Sequence, residues 1–421
     1  MTDQPAHGPY ASLQIKDFRL FIFARLCITL AVQIQATVVG WQVYELTKDP
    51  LSLGLVGLAE AIPAISVSLY AGHVADVVER RKIILLTVLI LLICSVSLFL
   101  FTLDAGKFVF SYGALPIYLV IFLSGIARGF LSPANFSFMP QLVPRDLYTN
   151  AISLNSTFWE AASIAGPVIA GFIYGFFGVT ASYATDVLLI LASFFFYFSI
   201  PNKPLPPVSE EQGIIEKIGA GLKFVFNNQI VLGAISLDLF AVLFGGAVAL
   251  LPIFSGEILK AGPQGLGLLR AAPSIGAVLM AVYITHYPIR KYIGKILLFC
   301  VAGFGLCMIG FGLSTSFWLS MGLLVMSGMF DSVSVIVRST LIHTLTPENM
   351  KGRVSAVNSI FVGSSNEIGA FESGFAAKLM GVVQSVVFGG CMTLAVVGIT
   401  GWKAKKLRNL DTLIEDSKLK I

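Results

Sequence analysis

Long apolar runs alternate with short polar segments along almost the whole chain. A helix needs roughly 20 residues to cross a bilayer core of about 30 Å, and these runs reach that length. Strands of a membrane barrel would be about ten residues long and would alternate in polarity, so the runs indicate helices. Twelve such runs, numbered here as predicted spans 1 to 12, begin near Phe18, Ser52, Ile83, Pro116, Ala151, Thr180, Ile230, Gly265, Ile296, Phe317, Ser355 and Val382.

The composition indicates a membrane protein as well. Of the 421 residues, 56% are apolar and 12% are charged, and the mean hydropathy is +0.85. A soluble domain carries about a quarter charged residues, so a soluble enzyme and a disordered tail are excluded. The net charge of +5 does not indicate nucleic-acid binding, because the basic residues lie in short loops between apolar runs. The first run is too long for the core of a signal peptide, and we expect it to be retained.

Basic residues are strongly biased to one side of the predicted membrane. With the N-terminus inside, the inside segments carry 20 of the 28 Lys and Arg residues, the outside loops carry 4, and the other 4 are arginines within spans. Lys and Arg in short loops favour the cytoplasmic side. Both termini are therefore predicted to be cytoplasmic.

The chain is predicted to be a duplicated half. A shift of 203 residues lays 142–178 on 345–381 with nine identical positions, among them Gly178 on Gly381, and a shift of 210 lays span 2 on span 8. The predicted domains are a six-helix bundle over 1–200, a cytoplasmic linker over 201–228, a second six-helix bundle over 229–402 and a cytoplasmic tail over 403–421. The linker ends in a predicted amphipathic helix, Ile214 to Phe226.

Ionisable residues inside the spans mark candidate functional positions, because a charge in the bilayer is expensive. They concentrate in spans 1, 2, 4 and 5 and in their repeat partners 7, 8, 10 and 11, whereas span 6 has only Asp186. Spans 3, 6, 9 and 12 are therefore predicted to be lipid-facing supports. The charges in the other spans are Arg25, Glu60, Arg128, Glu160, Asp238, Arg270, Asp331, Arg338, Glu367 and Glu372.

The repeat inverts the sign of two of these charges. Glu60 aligns with Arg270, and Arg128 aligns with Asp331. Two hypotheses remain open: the members of each aligned pair attract each other across a cavity between the bundles, or each charge is neutralised within its own bundle, Glu60 by Arg128 and Arg270 by Asp331. In span 10, Asp331, Ser334 and Arg338 fall on one helix face.

Other chemistry is not indicated. The five cysteines and four histidines are scattered without metal-ligand spacing, and no phosphate-binding loop of the G-x-x-x-x-G-K-[ST] type is present. We expect no metal and no cofactor, and a proton gradient rather than ATP as the energy source. The sequence has no Ser-His, Ser-Lys or paired-carboxylate signature, so it does not indicate an intramembrane enzyme.

The loop between spans 2 and 3, GHVADVVERRK, resembles the G-x-x-x-D-x-x-G-R-R/K signature of the major facilitator superfamily, with Glu79 at the second glycine. In this family the loop latches two six-helix bundles at the cytoplasmic face, a role that the resemblance assigns to Gly72, Asp76, Arg80 and Arg81. From the residues alone, Gly72 permits a close turn and the basic triplet anchors the cytoplasmic face. A plain positive-inside anchor is the alternative.

Two further stretches resemble this superfamily. Arg128 followed by Gly129 is similar to the membrane-embedded arginine of its proton-driven members. In span 5, ASIAGPVIAG resembles the G-x-x-x-G-P-x-x-G-G signature of its antiporters through Gly166, Pro167 and Gly171, with ordinary small-residue packing as the alternative. Residues 40–63, 250–273 and 352–369 resemble the bacterial enterobactin-exporter-like, drug-efflux branch.

The resemblance implies an all-α carrier with the major facilitator fold, in the bacterial inner membrane, working by alternating access. We predict proton-coupled export of a siderophore or an amphipathic drug-like compound by a monomer, with the bilayer, protons and a small organic molecule as its partners. Uptake, transport of a lipid such as a lysophospholipid, and a non-transporting receptor or scaffold are the alternatives. The residues predicted to couple protons or switch charges are Glu60, Arg128, Asp238, Arg270, Asp331, Arg338 and Glu367.

Overall fold

The computed structural model describes residues 8, 10–103, 111–204, 214–289, 291–347 and 350–411. Within these ranges the protein is built from helices, and no strand occurs. The long helices are α1 (Lys16–Thr47), α2 (Pro50–Val77), α3 (Arg80–Thr102), α4 (Leu115–Phe138), α5 (Tyr148–Phe198), α6 (Ile214–Asn227), α7 (Gln229–Gly245), α8 (Gly262–His286), α9 (Ile293–Leu313), α10 (Phe317–Leu345), α11 (Lys351–Met380) and α12 (Val382–Lys403).

The helices agree with the predicted spans. Ten helical segments among the described residues are long and apolar enough to cross a membrane. One of them, Arg145–Phe198, has 54 residues, more than twice the roughly 20 that one crossing needs, and it contains both span 5 and span 6. α11 has 30 residues but a more polar composition, and it corresponds to span 11. An all-α membrane protein is thus confirmed, and the helices are consistent with twelve crossings.

The two halves share an unusual backbone break. Gly178 has φ 81° and ψ −179° inside α5, and Gly381 has φ 96° and ψ 156° between α11 and α12. The repeat alignment places these two glycines at equivalent positions. Only glycine adopts this region readily. A glycine with positive φ therefore separates the fifth span from the sixth, and an equivalent glycine separates the eleventh from the twelfth.

The chain divides into two compact units. The first contains Met1–Gln42 and Ile62–Glu210, and the second contains Val43–Ala61 and Glu211–Ile421. The end of α1 and the start of α2 therefore pack with the C-terminal unit. At Gly54 the packing is so close that an added Cβ would lie 3.1 Å from the carbonyl oxygen of Ala370.

Aromatic side chains fill the part of the first unit's core near the start of α1 and the ends of α4 and α5. Phe21 packs edge-to-face against Phe138 and Tyr197, with ring centroids 6.1 Å apart in both pairs. All three rings are buried. The Tyr197 hydroxyl donates to Asn135 Oδ1 at 2.8 Å, so the polar tip of this ring is satisfied inside the core.

The amphipathic linker helix is confirmed as α6 and packs on the second unit. Val225 is buried in a cluster with Val354 and Val357 of α11. A Cβ at Gly221 would lie 2.8 Å from the Arg353 carbonyl oxygen. Close backbone approach therefore fixes α6 against the first turns of α11.

Replacing Gly178 by alanine should lower the free energy of unfolding by about 1–3 kcal/mol, because no neighbouring atom lies within 4 Å of the new Cβ and only the backbone geometry opposes it. Thermal unfolding in detergent measures the effect. Gly322→Ala is the matched control: this position in α10 also has open space but a helical backbone, and alanine should be neutral or stabilising there. Equal midpoints for the two variants would contradict the argument.

Candidate functional site

A buried ion pair lies at the centre of the second unit. Arg338 on α10 pairs through Nη1 with Oδ2 of Asp238 on α7, and the side chains are only 5% and 6% exposed. The surrounding residues are apolar, among them Leu237, Val337 and Leu341. Each charge of this pair requires the other, because either one alone would be very unfavourable at a buried position.

Asp331 lies beside this pair. Asp331 and Asp238 line the same small cavity, together with Ser334 and the rings of Phe304 and Phe330. The cavity measures about 10 Å³, roughly the space of a single water. One polar path therefore runs from Asp331 through this cavity to Asp238 and on to Arg338.

The spacing along α10 explains this arrangement. Asp331, Ser334 and Arg338 lie at i, i+3 and i+7, which is one face of a helix. The structure turns this face toward α7, because Ser334 and Asp331 line the cavity and Arg338 contacts Asp238. Asp331 and Arg338 are seven residues apart, which is about 10 Å along the helix. Asp238 on α7 lies between them, because it lines the cavity and also pairs with Arg338.

A second group of charges involves α2, α8 and α11. The carboxylates of Glu60 and Glu367 both act electrostatically on the Arg270 guanidinium. The helices approach closely here, since a Cβ at Gly57 would lie 3.2 Å from Glu367 Oε2. All three charged residues belong to the second compact unit. The structure thus sets Glu60 beside Arg270, its repeat counterpart.

A third polar group contains Asp186, whose span was predicted to be a lipid-facing support. That prediction is wrong for this position: Asp186 is fully buried and accepts hydrogen bonds from Ser95 at 2.6 Å and from Gln35 at 3.5 Å. These partners lie on α3 and α1, so the second part of α5 and α3 turn polar faces toward the interior. The sequence did contain a signal for this buried position, namely a single carboxylate in an otherwise apolar span.

Arg128 lies half-buried on α4 in the first unit. At the next residue, a Cβ on Gly129 would lie 2.9 Å from the Ala64 carbonyl oxygen, so α4 passes very close to α2. The predicted exchange of Arg128 with Asp331 stays a prediction.

The basic residues after α2 bind helix ends. Arg80 donates to the carbonyl oxygens of Ala75 and Ser137 at 3.2 Å, which connects α2 and α4. Arg81 donates to the Phe198 carbonyl oxygen and to Asn202 Oδ1, both at 2.6 Å. Arg80 therefore neutralises carbonyls near the ends of α2 and α4, and Arg81 does the same at the end of α5, so the two residues tie these three helix ends to the start of α3.

The two turn positions of this motif have ordinary backbone geometry. Gly72 lies inside α2, so the chain does not make at this residue the close turn that glycine permits. Glu79, at the second glycine position, has φ −53°, a value that any residue adopts, and its carboxylate pairs with Lys82 at 3.2 Å. The Asp76 side chain lies outside the described part of the structure.

The span 5 motif packs against α1. A Cβ at Gly166 would lie 2.5 Å from the Gln33 Cβ, so a small residue is required there. Pro167 lies inside the helix, and Gly166, Pro167 and Gly171 are all buried. Close packing of α5 on α1 accounts for Gly166.

Comparisons with known proteins agree over the whole chain. A family model described as a transmembrane secretion effector matches residues 7–420. The enterobactin exporter EntS of Escherichia coli O1:K1 / APEC is 25% identical over 390 residues, which cover 91% of this chain and 90% of that protein.

Solved transporters share the fold. A bacterial homologue of the iron transporter ferroportin, crystallised in an inward-facing state, matches with a TM-score of 0.71 and 15% identity over 94% of this chain and 99% of that one. The xylose transporter XylE from E. coli matches with a TM-score of 0.70 and 13% identity over 96% and 99%.

Removing one member of the Asp238–Arg338 pair should cost more than removing both. We expect Arg338→Gln to destabilise the protein by about 3–5 kcal/mol because it leaves a buried carboxylate unpaired. Adding Asp238→Asn should recover part of that loss. Thermal unfolding in detergent of the two single variants and the double variant measures the coupling.

The half-exposed pair of Lys378 and Asp49, 3.5 Å apart, is the control. Its coupling should lie within about 0–1 kcal/mol. Additive losses at Asp238 and Arg338, or equal coupling at the two pairs, would show that the buried pair has no special role.

Proposed function

The chain belongs to the transmembrane secretion effectors of the major facilitator superfamily, and we propose that it is a proton-driven secondary exporter that works by alternating access. The observation that carries this proposal is its full-length similarity to the enterobactin exporter, which extends through both halves of the chain. The structural relatives are transporters as well, which favours a carrier over a scaffold or an enzyme.

The proposed substrate is a siderophore or an amphipathic drug-like compound. The named exporter supports the first choice. The proposed placement is the bacterial inner membrane with both termini in the cytoplasm, which the 20-to-4 distribution of basic residues supports. We propose that a monomer carries out transport.

The coupling step is proposed to use the polar path in the second unit. Asp331 lines the cavity without belonging to the Asp238–Arg338 ion pair, so it is the carboxylate best placed to gain and lose a proton. A proton on Asp331 removes the repulsion between its carboxylate and that of Asp238. Loss of that proton leaves two carboxylates facing one guanidinium, which favours a rearrangement of α7 against α10.

The remaining charges take positioning roles in this proposal. Glu60 and Glu367 both act electrostatically on Arg270, and in this proposal the guanidinium changes between these two carboxylates during transport. Arg80 and Arg81 fix the inner ends of α2, α4 and α5, and we keep the latch role for them together with Gly72 and Asp76.

Transport in inside-out membrane vesicles tests the proposal. An imposed pH gradient, acidic inside, should drive accumulation of enterobactin or of a fluorescent lipophilic dye, and collapse of the gradient should release it. Vesicles without the protein are the control. Accumulation that ignores the gradient, or that appears only in right-side-out vesicles, would refute proton-driven export.

Asp331→Asn should abolish accumulation against a gradient while preserving exchange of labelled for unlabelled substrate, because the amide cannot carry the proton. Glu372→Gln is the matched control, since it makes the same carboxyl-to-amide change on α11 outside the cavity. It should retain most of the accumulation. If Asp331→Asn still concentrates substrate, the coupling carboxylate is another one, with Glu60 and Asp238 the next candidates.

A further inference from the structure

A polar pocket lies between the last two turns of α10, which follow Arg338, and the start of α11. Its volume is about 130 Å³, roughly ten times the space that one water requires. Apart from Ile342, its lining is polar and consists of Ser339, His343, Thr346, Lys351, Ser355 and Asn358. All of these residues belong to the second unit.

The lining is rich in hydrogen-bond donors, and none of its described residues is acidic. Three hydroxyls, an imidazole, an amide and an ammonium group face one space. Lys351 is the first residue of α11, so the positive end of that helix adds to its charge. The last carbonyls of α10 oppose this field, and the His343 ring lies in the last turn of that helix.

Thr346 supplies an independent observation that points to ligand binding. Its side chain is only 4% exposed, and among the described residues its hydroxyl has no hydrogen-bond partner. A buried hydroxyl without a partner has lost its hydrogen bonds to water without replacement, which is unfavourable. Asn358 Oδ1 is a second buried polar atom without a partner, and rotation of that amide would present its NH₂ group instead.

The duplication shows that the fold does not require this polarity. At the equivalent positions of the first half, the residues are Phe136 for Ser339, Pro140 for His343, Val143 for Thr346, Tyr148 for Lys351 and Ile152 for Ser355. Only Asn155 matches Asn358. Val143 is buried like Thr346, at 7% exposure. These equivalent positions of the first half are thus mostly apolar or aromatic. The hydrogen-bond donors of the second half are therefore not required for packing.

We propose that this pocket binds an oxyanion, a phosphate or carboxylate group, with Lys351 as its counter-charge and Thr346 and Ser355 as hydrogen-bond donors. The volume accommodates such a group with a part of the molecule that carries it. The charge bias places this end of the second unit at the cytoplasmic face, where the group can come from a soluble anion or from the headgroup of an anionic lipid. Lys351, Thr346 and Ser355 are not members of the coupling path, and the test measures binding and not transport.

The test is equilibrium binding of inorganic phosphate to the purified full-length protein in detergent. Phosphate replaces chloride at constant ionic strength, and the half-saturating concentration is obtained from the rise in the unfolding midpoint. Lys351→Gln should raise that concentration about tenfold or more, because a hydrogen bond to a charged group contributes about 1.5–3 kcal/mol. Lys403→Gln, at an exposed lysine in the last turn of α12, makes the same change of charge and should bind like the unmodified protein.

Thr346→Val separates binding from folding. Without phosphate this variant should be as stable as the unmodified protein or more stable, because it removes an unpartnered buried hydroxyl. With phosphate it should bind several-fold more weakly. A merely structural threonine would give the opposite pattern, a loss of stability with unchanged phosphate binding, and that result would overturn the proposal.

Short-chain phosphatidylglycerol, compared with short-chain phosphatidylcholine, identifies the source of the anion. Saturation by phosphatidylglycerol at lower concentration than phosphate, with loss of affinity in Lys351→Gln, assigns the pocket to a lipid headgroup. Tighter binding of phosphate assigns it to a soluble anion. Absence of a saturable shift with either ligand, or equal shifts in Lys351→Gln and Lys403→Gln, would overturn the proposal.

Discussion

A charge in the hydrocarbon core of a bilayer needs a partner from the protein, because no water is there to solvate it. This constraint governs where the polar side chains of the protein lie. Arg338 pairs with Asp238, Arg270 lies near Glu60 and Glu367, and Asp186 binds hydroxyl and amide donors. The packing of α7 on α10, of α2 near α8 and α11, and of α5 on α3 therefore has an electrostatic component as well as an apolar one.

The same constraint makes these contacts suitable for a carrier. A buried ion pair is stable mainly because losing one partner is costly, so a change of protonation at a neighbouring carboxylate can change which arrangement is favoured. Asp331 is such a neighbour, since it lines the small cavity that also reaches Asp238. Family membership establishes the class of protein. The coupling role proposed for Asp331 rests on the cavity that it shares with Asp238.

Comparison of equivalent positions in the two halves distinguishes features that the fold requires from features that are specific to one half. Gly178 and Gly381 keep the same left-handed break in both halves, and this feature belongs to the fold. The halves differ where charge is concerned: Glu60 against Arg270, Arg128 against Asp331, and the polar pocket around Lys351 against its apolar counterpart around Tyr148. Divergence between otherwise equivalent positions therefore marks the places where each half has its own task.

Much of this could be predicted from the sequence, and the failures have physical causes. Hydrophobic run length fixed the helices, and helical periodicity placed Asp331, Ser334 and Arg338 on one face. The partner of Arg338 could not be predicted, because Asp238 lies 100 residues earlier and only packing brings them together. The buried position of Asp186 was not predicted, because the rest of its span is apolar and the span was assigned to the lipid face. Gly72 permits a turn without imposing one, and the chain is helical there.

Proton movement driven by substrate tests the central claim most directly. Proteoliposomes with a trapped pH-sensitive dye are loaded with enterobactin at equal pH on both sides and then diluted, so that only the substrate gradient remains. The account predicts that substrate flux drives protons in the opposite direction, seen as a pH change that requires the protein. Substrate flux with no pH change in the lumen would contradict proton coupling and, with it, the role proposed for Asp331.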